Sequence, residues 1–351
     1  MNNDQVHPLN YCTHAIEDLK QYEQSIRHYM PKSARAVRGL IELLQQSIKF
    51  ILPNCCNLID PEDLKQSHMD LLRLPFPCVA FEAPWETEDG VEMLGGYEQA
   101  PSTRRIALAW EANPNYELIP GMNSILNYAP EGGVFVVPIY WATRDRCWQV
   151  PLGGVFVPYN NTVRDIDVEN SLPASRIVHD AMSEAGRVGK KAKQYNGEPF
   201  NLLPEMYDSV LASLEGNPNK VAARIILDAN DEVQTVIQAC SVINCANVTT
   251  VDVNASTALN KKRQDKGKAP FFSYKVLQLT EERRAYPERG GKGTHASPRM
   301  HLRRGHLRQL KERTVWVRPA MINANSDAGA VHKDYAVPAP RAEVTSTTLD
   351  E

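Results

Sequence analysis

The 351-residue chain lacks the long apolar runs and the glycine-rich loops by which several large protein classes are recognised. No run approaches the roughly 18 consecutive apolar residues that a membrane-spanning helix needs, and the best one, 134–141, contains Pro138. The N-terminus lacks a basic start followed by an apolar run, so a secretory signal is not expected. Rossmann, Walker and kinase glycine patterns are also missing, and no cofactor is predicted. These absences favour a cytoplasmic protein that does not enter a membrane.

The cysteines form no recognisable motif. The chain has seven cysteines, which is an odd number. None of them stands in a C-x-x-C pair, which argues against a zinc ribbon and against a redox motif. Reduced thiols in a cytosolic protein are the simplest interpretation. Cys240 and Cys245 lie in or next to an apolar helical pattern and are predicted to be core residues. The adjacent residues Cys55 and Cys56 are poorly placed to bridge each other.

Charge is divided unevenly along the chain, which carries a formal net charge of −3. Residues 1–250 hold 20 Lys plus Arg against 31 Asp plus Glu, whereas residues 251–340 hold 18 against 8. A positive field of this strength favours an anionic partner, and nucleic acid is the commonest one. Two alternatives remain open. In the first, the basic part docks on the acidic part of this chain or of a second copy. In the second, the basic part is a well-solvated surface.

Apolar spacing predicts helices at the start of the chain. Helical stripes run through 15–30 and 34–52, and Asp60 with Pro61 begins a third helix that extends to about Leu74. After this helix the pattern changes to short runs of β-branched and aromatic residues. Such runs predict the strands of a mixed or antiparallel sheet.

Helical spacing returns after the sheet. Helices are predicted at 173–186 and 203–214, and a stronger one at 220–243 has the polar stretch 228–231 as a candidate break. A strand follows at 247–253. The predicted fold class is α+β, with a helical N-terminus, a central mixed or antiparallel sheet and a basic β-rich C-terminal part.

The basic part begins with a polar connector at 260–270 and a strand candidate at 271–279. Two further strands, 299–308 and 314–318, are joined by a mostly polar tip. The tail after Val337 has the composition of a disordered segment.

These observations divide the chain into three parts: an acidic α+β domain (1–250), a basic β-rich module (251–336) and a disordered tail (337–351). One continuous fold is the alternative, because the strand near residue 250 can pair with either of the first two parts.

The segment 295–308 has the residues best suited to chemistry, reading His-Ala-Ser-Pro-Arg-Met-His-Leu-Arg-Arg-Gly-His-Leu-Arg. A proline near its start and a glycine within it argue against a helix. Alternate residues of a strand share a face, and a bulge at 304–305 would shift that alternation by one residue. The strand would then carry two imidazoles and three guanidiniums on one face: Arg299, His301, Arg303, His306 and Arg308.

This combination suits phosphate chemistry, because arginine presents a planar fork to phosphate oxygens and histidine exchanges a proton near neutral pH. A metal-independent nuclease is one alternative. In it, His301 and His306 are the base and acid for a ribose 2′-hydroxyl and a leaving oxygen, and Arg303 stabilises the transition state. The predicted phosphate-binding residues are His295, Arg299, Arg303, Arg304, Arg308 and Lys333, with His332 and Tyr335 as further candidates.

Other interpretations stay open beside these two. The basic strand serves solubility alone, or the protein is a non-enzymatic effector that binds and inhibits a host protein. A zinc site made from His295, His301, His306 or His332 has no supporting cysteine and no H-E-x-x-H pattern, so no metal is predicted. Whether the protein is an enzyme is undecided at the level of sequence.

The segment 292–308, together with Val315-Trp-Val-Arg-Pro319 and His332-Lys-Asp-Tyr335, resembles the C-terminal block of uncharacterised proteins from bacteriophages and other bacterial mobile elements. Their pattern is an H-x-R-R-G-H-x-R core followed by an apolar strand. The resemblance extends more weakly to 244–279 and does not reach residues 1–240. It implies a phage or prophage origin and a compact module, but no mechanism. We therefore expect a phage-type nucleic-acid-binding protein of the host bacterial cytoplasm, with RNA and DNA both open.

Overall fold

The computed structural model describes residues 8–59, 64–86, 92–94, 97–99, 102–188, 192–279, 301–303, 306–311, 313–317 and 320–322. The α+β fold class is confirmed. Helices form the N-terminus, and a mixed sheet of nine strands forms the core.

The described residues form seven α-helices and seventeen strands. The helices are α1 (Tyr11–Ile26), α2 (Pro31–Gln46), α3 (Gln66–Asp70), α4 (Pro173–Glu184), α5 (Pro204–Ser213), α6 (Pro218–Ile243) and α7 (Thr257–Gln264), with short 3-10 helices at Asn54–Cys56 and Met122–Asn127. The strands are β1 (Ile48–Ile51), β2 (Cys78–Pro84), β3 (Glu92–Leu94), β4 (Tyr97–Gln99), β5 (Arg104–Glu111), β6 (Gly133–Ala142), β7 (Cys147–Gln149), β8 (Gly153–Pro158), β9 (Arg164–Asp165), β10 (Lys193–Gln194), β11 (Glu198–Asn201), β12 (Val248–Val253), β13 (Tyr274–Leu279), β14 (His301–Arg303), β15 (His306–Gln309), β16 (Thr314–Val317) and β17 (Ala320–Ile322).

The large sheet has the strand order β11-β8-β6-β5-β2-β1-β13-β12, with β7 paired to β6. Strand β1 runs parallel to β2 and to β13, and the other pairs are antiparallel. Because β13 pairs with β1 and β12 contains residue 250, the sheet continues across the predicted boundary between 1–250 and 251–336. The division into these two parts stays a prediction, with one continuous fold as its alternative.

Helices cover both faces of this sheet. Successive strand residues point to opposite faces, so Ala80 and Leu108 pack in the cluster with α1 and α2, while Phe81 and Ala107 pack in the cluster with α6. Full burial of a side chain the size of leucine or phenylalanine contributes roughly 1.5–3 kcal/mol. The two apolar clusters therefore hold three layers together, with the sheet in the middle.

The N-terminus of α1 is capped by a side chain from the sheet. Glu82 of β2 accepts hydrogen bonds from the backbone N–H groups of Tyr11 (3.1 Å) and Cys12 (2.7 Å) and from the Tyr274 hydroxyl (2.9 Å). A carboxylate at this end of a helix meets N–H groups that have no partner within the helix. Burial raises the pKa of Glu82, although these hydrogen bonds act in the opposite direction. Glu82 thereby joins α1, β2 and β13.

Three sequence predictions of local structure were wrong. The helix predicted over 34–52 ends at Gln46, and Ile48 begins β1, because Ile48 fits both the helical and the strand period of apolar residues. The helix predicted from Asp60 is limited in the described residues to α3, with 60–63 outside them. The first part of the predicted connector at 260–270 is helical, since it overlaps α7, whose first turn is capped by the Ser256 side chain accepting from the Leu259 N–H.

Helix α6 follows its prediction except at the candidate break. It runs uninterrupted from Pro218 to Ile243, and the Asn217 side chain caps it by accepting from the Asn219 N–H. The polar stretch 228–231 stays helical because its acids have partners, since Asp228 pairs with Arg224 at 2.9 Å.

Two further expectations concern the cysteines and the membrane. All seven cysteines carry free thiols, and Cys240 and Cys245 are buried, as predicted. Within the described ranges, no helix has both the length and the apolar character needed to span a bilayer.

Candidate functional site

The segment that the sequence singled out forms short antiparallel pairs. Strand β14 pairs with β17, and β15 pairs with β16, so the strand prediction is confirmed over 301–303, 306–308 and 314–317. The bulge predicted at 304–305 falls on residues outside those that the structure describes.

The candidate site residues are only partly covered by the structure. His301 and Arg303 lie in β14, and His306 and Arg308 lie in β15, where Arg308 is exposed. The remaining candidates lie outside the described residues: His295, Arg299, Arg304, His332, Lys333 and Tyr335. The grouping of histidines and arginines on one face stays a prediction.

The β15–β16 pair is attached to the main fold by its second strand. The Asn247 amide donates to the Trp316 carbonyl (2.8 Å) and accepts from the Trp316 N–H (2.9 Å), and the Ala246 N–H donates to Thr314 (3.0 Å). The Trp316 ring is buried in the same apolar cluster as the end of α6, and Leu307 packs against that cluster. These contacts place Arg308 near the end of α6.

A second basic surface lies on α7 and the turn that follows it. Arg263 fixes this segment, because its guanidinium donates to Glu17 of α1 (2.6 Å) and to the Ala269 carbonyl (2.6 Å) and lies 4.1 Å from the centre of the Phe271 ring. Asn260 adds two hydrogen bonds to the backbone of Phe271, at 2.7 and 3.0 Å. The segment is thus held on α1 by residues other than its lysines.

Those lysines, which we call the α7 lysine cluster, all point to solvent. None of the four has an ion-pair partner in the part of the chain that the structure describes, whereas Arg263 beside them is paired. Positive charge in the last helical turn favours the helix dipole, which accounts for a stabilising role in two of them. The members are Lys261, Lys262, Lys266 and Lys268.

A third polar group, missed by the sequence reasoning, lies between the sheet and α6. Arg105 of β5 contacts Asp231 (2.9 Å) and Glu232 (3.4 Å) of α6 through Nη1, and Arg187 forms an ion pair with Asp231. We call these four residues the Arg105–Glu232 cluster. It lies where β2 ends and β5 begins, since Arg105 pairs with Ala83 of β2.

The two acids of this cluster differ in their electrostatics. Burial and the nearby charge of Asp231 raise the pKa of Glu232 to about 7, with Arg105 acting in the opposite direction. Burial also acts to raise the pKa of Asp231, but the two guanidiniums outweigh it and hold that pKa below its usual value. At neutral pH Asp231 is therefore ionised, and Glu232 exists in both forms.

Two buried atoms of the cluster have no hydrogen-bond partner among the described residues. They are Oε2 of Glu232, whose residue is 2% exposed, and Nε of Arg105. A buried polar atom left in this way costs about 1–3 kcal/mol. Such groups require an explanation in a native fold, and a bound ligand is one.

The surroundings of the cluster add an aromatic ring and a strained turn. The Arg105 guanidinium lies 4.4 Å from the centre of the Trp85 ring. Cys55 and Cys56 both adopt left-handed backbone conformations, with φ of 53° and 49°. Non-glycine residues rarely adopt this conformation outside functional or tightly constrained places. Burial raises the pKa of the Cys55 thiol, with Arg105 acting against it, so the thiol is protonated at neutral pH.

The signal for this cluster was present in the sequence but weak. Asp231 and Glu232 are adjacent acids inside an otherwise apolar helix, and Arg105 stands at the start of an apolar strand. Both facts predict buried charge. Neither one identifies the partner, because the acids are more than a hundred residues from Arg105 in the chain.

Metal binding and similarity to known proteins add no further candidate. No group of three or more His, Cys, Asp or Glu side chains within the described ranges is arranged to hold a metal ion. Comparison of the chain with models of protein families, with curated proteins and with solved structures gave no match. Function is therefore argued from charge and geometry.

Proposed function

We propose that this protein binds nucleic acid through phosphate contacts from its basic C-terminal part, with the α7 lysine cluster as the principal contact within the described residues. The observation that carries the proposal is that four exposed lysines on one helix and its turn have no carboxylate partner in the described part of the chain. Lysine amines on a basic surface neutralise backbone phosphates without regard to sequence.

The way α7 is held supports this proposal. Arg263 satisfies the interactions with Glu17 and with the backbone, so the lysines are not needed to attach the helix. A basic surface that served the fold would be expected to meet the acidic half of the chain. In the described residues that contact is made by Arg263, which pairs with Glu17 of α1 at 2.6 Å.

The C-terminal strands extend the proposal to the motif that resembles phage and mobile-element proteins. Arg308 and Lys311 are exposed beside the attached β15–β16 pair. We propose that His301, Arg303, His306 and Arg308 contribute to the same phosphate-binding function in the cytoplasm of a bacterial host. RNA and DNA are both candidate partners.

Binding of short labelled oligonucleotides tests this function. Single-stranded RNA and duplex DNA are titrated with the full chain between about 50 and 200 mM salt, a range over which several phosphate contacts cost orders of magnitude in affinity. The paired substitution Lys261→Gln/Lys262→Gln is expected to weaken binding. It should also lower the slope of log affinity against log salt by about 1.4 units on single strands, because each lost contact accounts for about 0.7.

The matched control is Lys20→Gln/Lys32→Gln, which removes two exposed lysines from α1 and α2. It should leave affinity and slope unchanged. Absence of binding by the unaltered protein at low salt would reject the proposal and leave the effector that binds a host protein as the better hypothesis.

A cleavage assay decides between binding and nuclease activity. If the protein only binds, RNA stays intact during the titration. If RNA is cut, His301→Ala and His306→Ala are expected to abolish cutting while the affinity is retained. Cutting that survives both substitutions would exclude these histidines as catalytic residues.

A further inference from the structure

The Arg105–Glu232 cluster has features that a purely structural ion pair does not need. Arg105 and Arg187 reach Asp231 from different elements, one from β5 and one from the segment after α4. Glu232 is next to them and nearly fully buried, yet its Oε2 has no partner among the described residues, and neither does Nε of Arg105. One donor and one carboxyl oxygen are therefore unmet within the same ion-pair cluster.

We propose that Arg105, Arg187 and the carboxylic acid form of Glu232 together make a binding site for a small oxyanion. A partly buried site with guanidinium donors favours an anion whose oxygens accept hydrogen bonds. The acid proton on Glu232 supplies a further donor.

The arginine side chains of the site are more exposed than its buried acid. The side chains of Arg105 and Arg187 are 22% and 26% exposed, whereas Glu232 is 2% exposed. Solvent therefore reaches both arginines but not Glu232. The Arg105 guanidinium also lies 4.4 Å from the centre of the Trp85 ring.

Binding of the oxyanion is expected to take up a proton. Among the described residues, Glu232 faces Arg105 from β5, Asp231 on its own helix and Tyr140 from β6. Burial raises the pKa of Tyr140 to about 12, and the Cys55 thiol beside Arg105 is also neutral, so neither titrates near pH 7. Asp231 stays ionised, which leaves Glu232 as the group that changes charge.

Sulfate is the probe of choice because its charge is constant around neutral pH. Isothermal titration calorimetry of the full chain at constant ionic strength, with chloride as the reference anion, measures saturable binding. If the protonated form is the one that binds, the apparent affinity falls about tenfold between pH 6 and pH 8, since it scales with the protonated fraction of Glu232. Glu232→Gln keeps a neutral side chain at both pH values and should make the affinity independent of pH.

Charge removal in the outer part of the site gives a second readout. Arg187→Gln is expected to weaken sulfate binding at least tenfold at both pH values. The control Arg38→Gln removes an arginine from an ion pair with Glu23 on the other side of the molecule and should bind sulfate like the unaltered protein. If Arg187→Gln does not fold, the Glu232→Gln comparison decides on its own.

The α7 lysine cluster is a competing anion site, and its variant separates the two proposals. Sulfate binding and its pH dependence should persist in Lys261→Gln/Lys262→Gln. Loss of sulfate binding in that variant would overturn the oxyanion site and leave the nucleic-acid proposal intact. The oxyanion site is also overturned if the unaltered protein binds sulfate no better than chloride, or if Glu232→Gln retains the full pH dependence.

Discussion

Two buried glutamates lie on opposite faces of the same sheet, and they differ in how many hydrogen bonds their carboxyl oxygens accept. Glu82 is fully buried beneath α1 and accepts three hydrogen bonds, two from backbone N–H groups and one from Tyr274. Glu232 is 2% exposed beside α6, contacts Arg105 through one oxygen and leaves the other without a partner in the described residues. Burial alone therefore does not distinguish a structural carboxyl group from a functional one.

The number of satisfied atoms makes that distinction. Without Glu82, its three donors would be buried and unpaired. Its hydrogen bonds in the fold therefore account for this buried carboxyl group. Around Glu232, Arg105 would still keep Asp231 as a partner. A carboxyl group that the fold does not need, and whose pKa lies near 7, is a candidate for binding or proton transfer.

The largest expected effect is the loss of the helix cap. Glu82→Ala leaves two N–H groups of α1 and the Tyr274 hydroxyl without an acceptor, and we expect a loss on the order of 4 kcal/mol in the free energy of unfolding. Urea denaturation measures it. The exposed control Glu42→Ala on α2 should change stability by less than about 0.5 kcal/mol. A loss at position 82 as small as that of the control would show that the cap is dispensable.

The next effect has the opposite sign. The pKa of Glu232 is about 7 in the folded protein and about 4.5 without the fold, so its ionisation destabilises the folded state. The free energy of unfolding is highest below pH 4.5, where Glu232 is neutral in both states. It falls as the pH rises from 4.5 through 7. Glu232→Gln removes this loss and is expected to stabilise the protein at pH 8 by up to about 3 kcal/mol.

Denaturation at a series of pH values tests this. Between pH 4.5 and 7 the stability of the unaltered protein relative to Glu232→Gln should decrease as the pH rises. A constant difference between the two proteins across this range would mean that Glu232 is ionised throughout, as an ordinary ion-pair partner would be.

The smallest effect concerns one of the three donors to Glu82, the residue that caps α1. Tyr274→Phe removes one of the three donors to Glu82 and leaves both backbone hydrogen bonds in place. We expect a loss of about 1 kcal/mol, read from the same urea curves. A loss as large as that of Glu82→Ala would assign the stabilisation to Tyr274 rather than to the cap of α1.

The sequence predicted those elements whose apolar residues repeat with a single period. Helix α6 was found because its apolar residues follow the helical period, and strands β5 and β6 were found because they are short continuous runs rich in β-branched and aromatic residues. Strand β1 was missed because Ile48 continues the stripe of α2. Helix α7 was missed because it buries no apolar face and depends on the Ser256 cap and on Arg263.

The candidate sites were harder to predict for a different reason. The α7 lysine cluster follows from a basic run that is visible in the sequence, although its exposure is not. The Arg105–Glu232 cluster depends on the order of strands in the sheet and on which face α6 covers. Spacing along the chain does not contain this long-range information. The polar stretch 228–231 was therefore interpreted as a break in the helix, and the acids Asp231 and Glu232 were not predicted to form a site.

The most direct test of the distinction between the two glutamates is the titration of the Glu232 carboxyl carbon by NMR, assigned by comparison with Glu232→Gln. We predict a midpoint near pH 7 that disappears in the variant. A midpoint near the ordinary value of 4.5 would contradict the account, because Glu232 would then be a permanently ionised partner of Arg105 and could not supply a proton to a bound oxyanion.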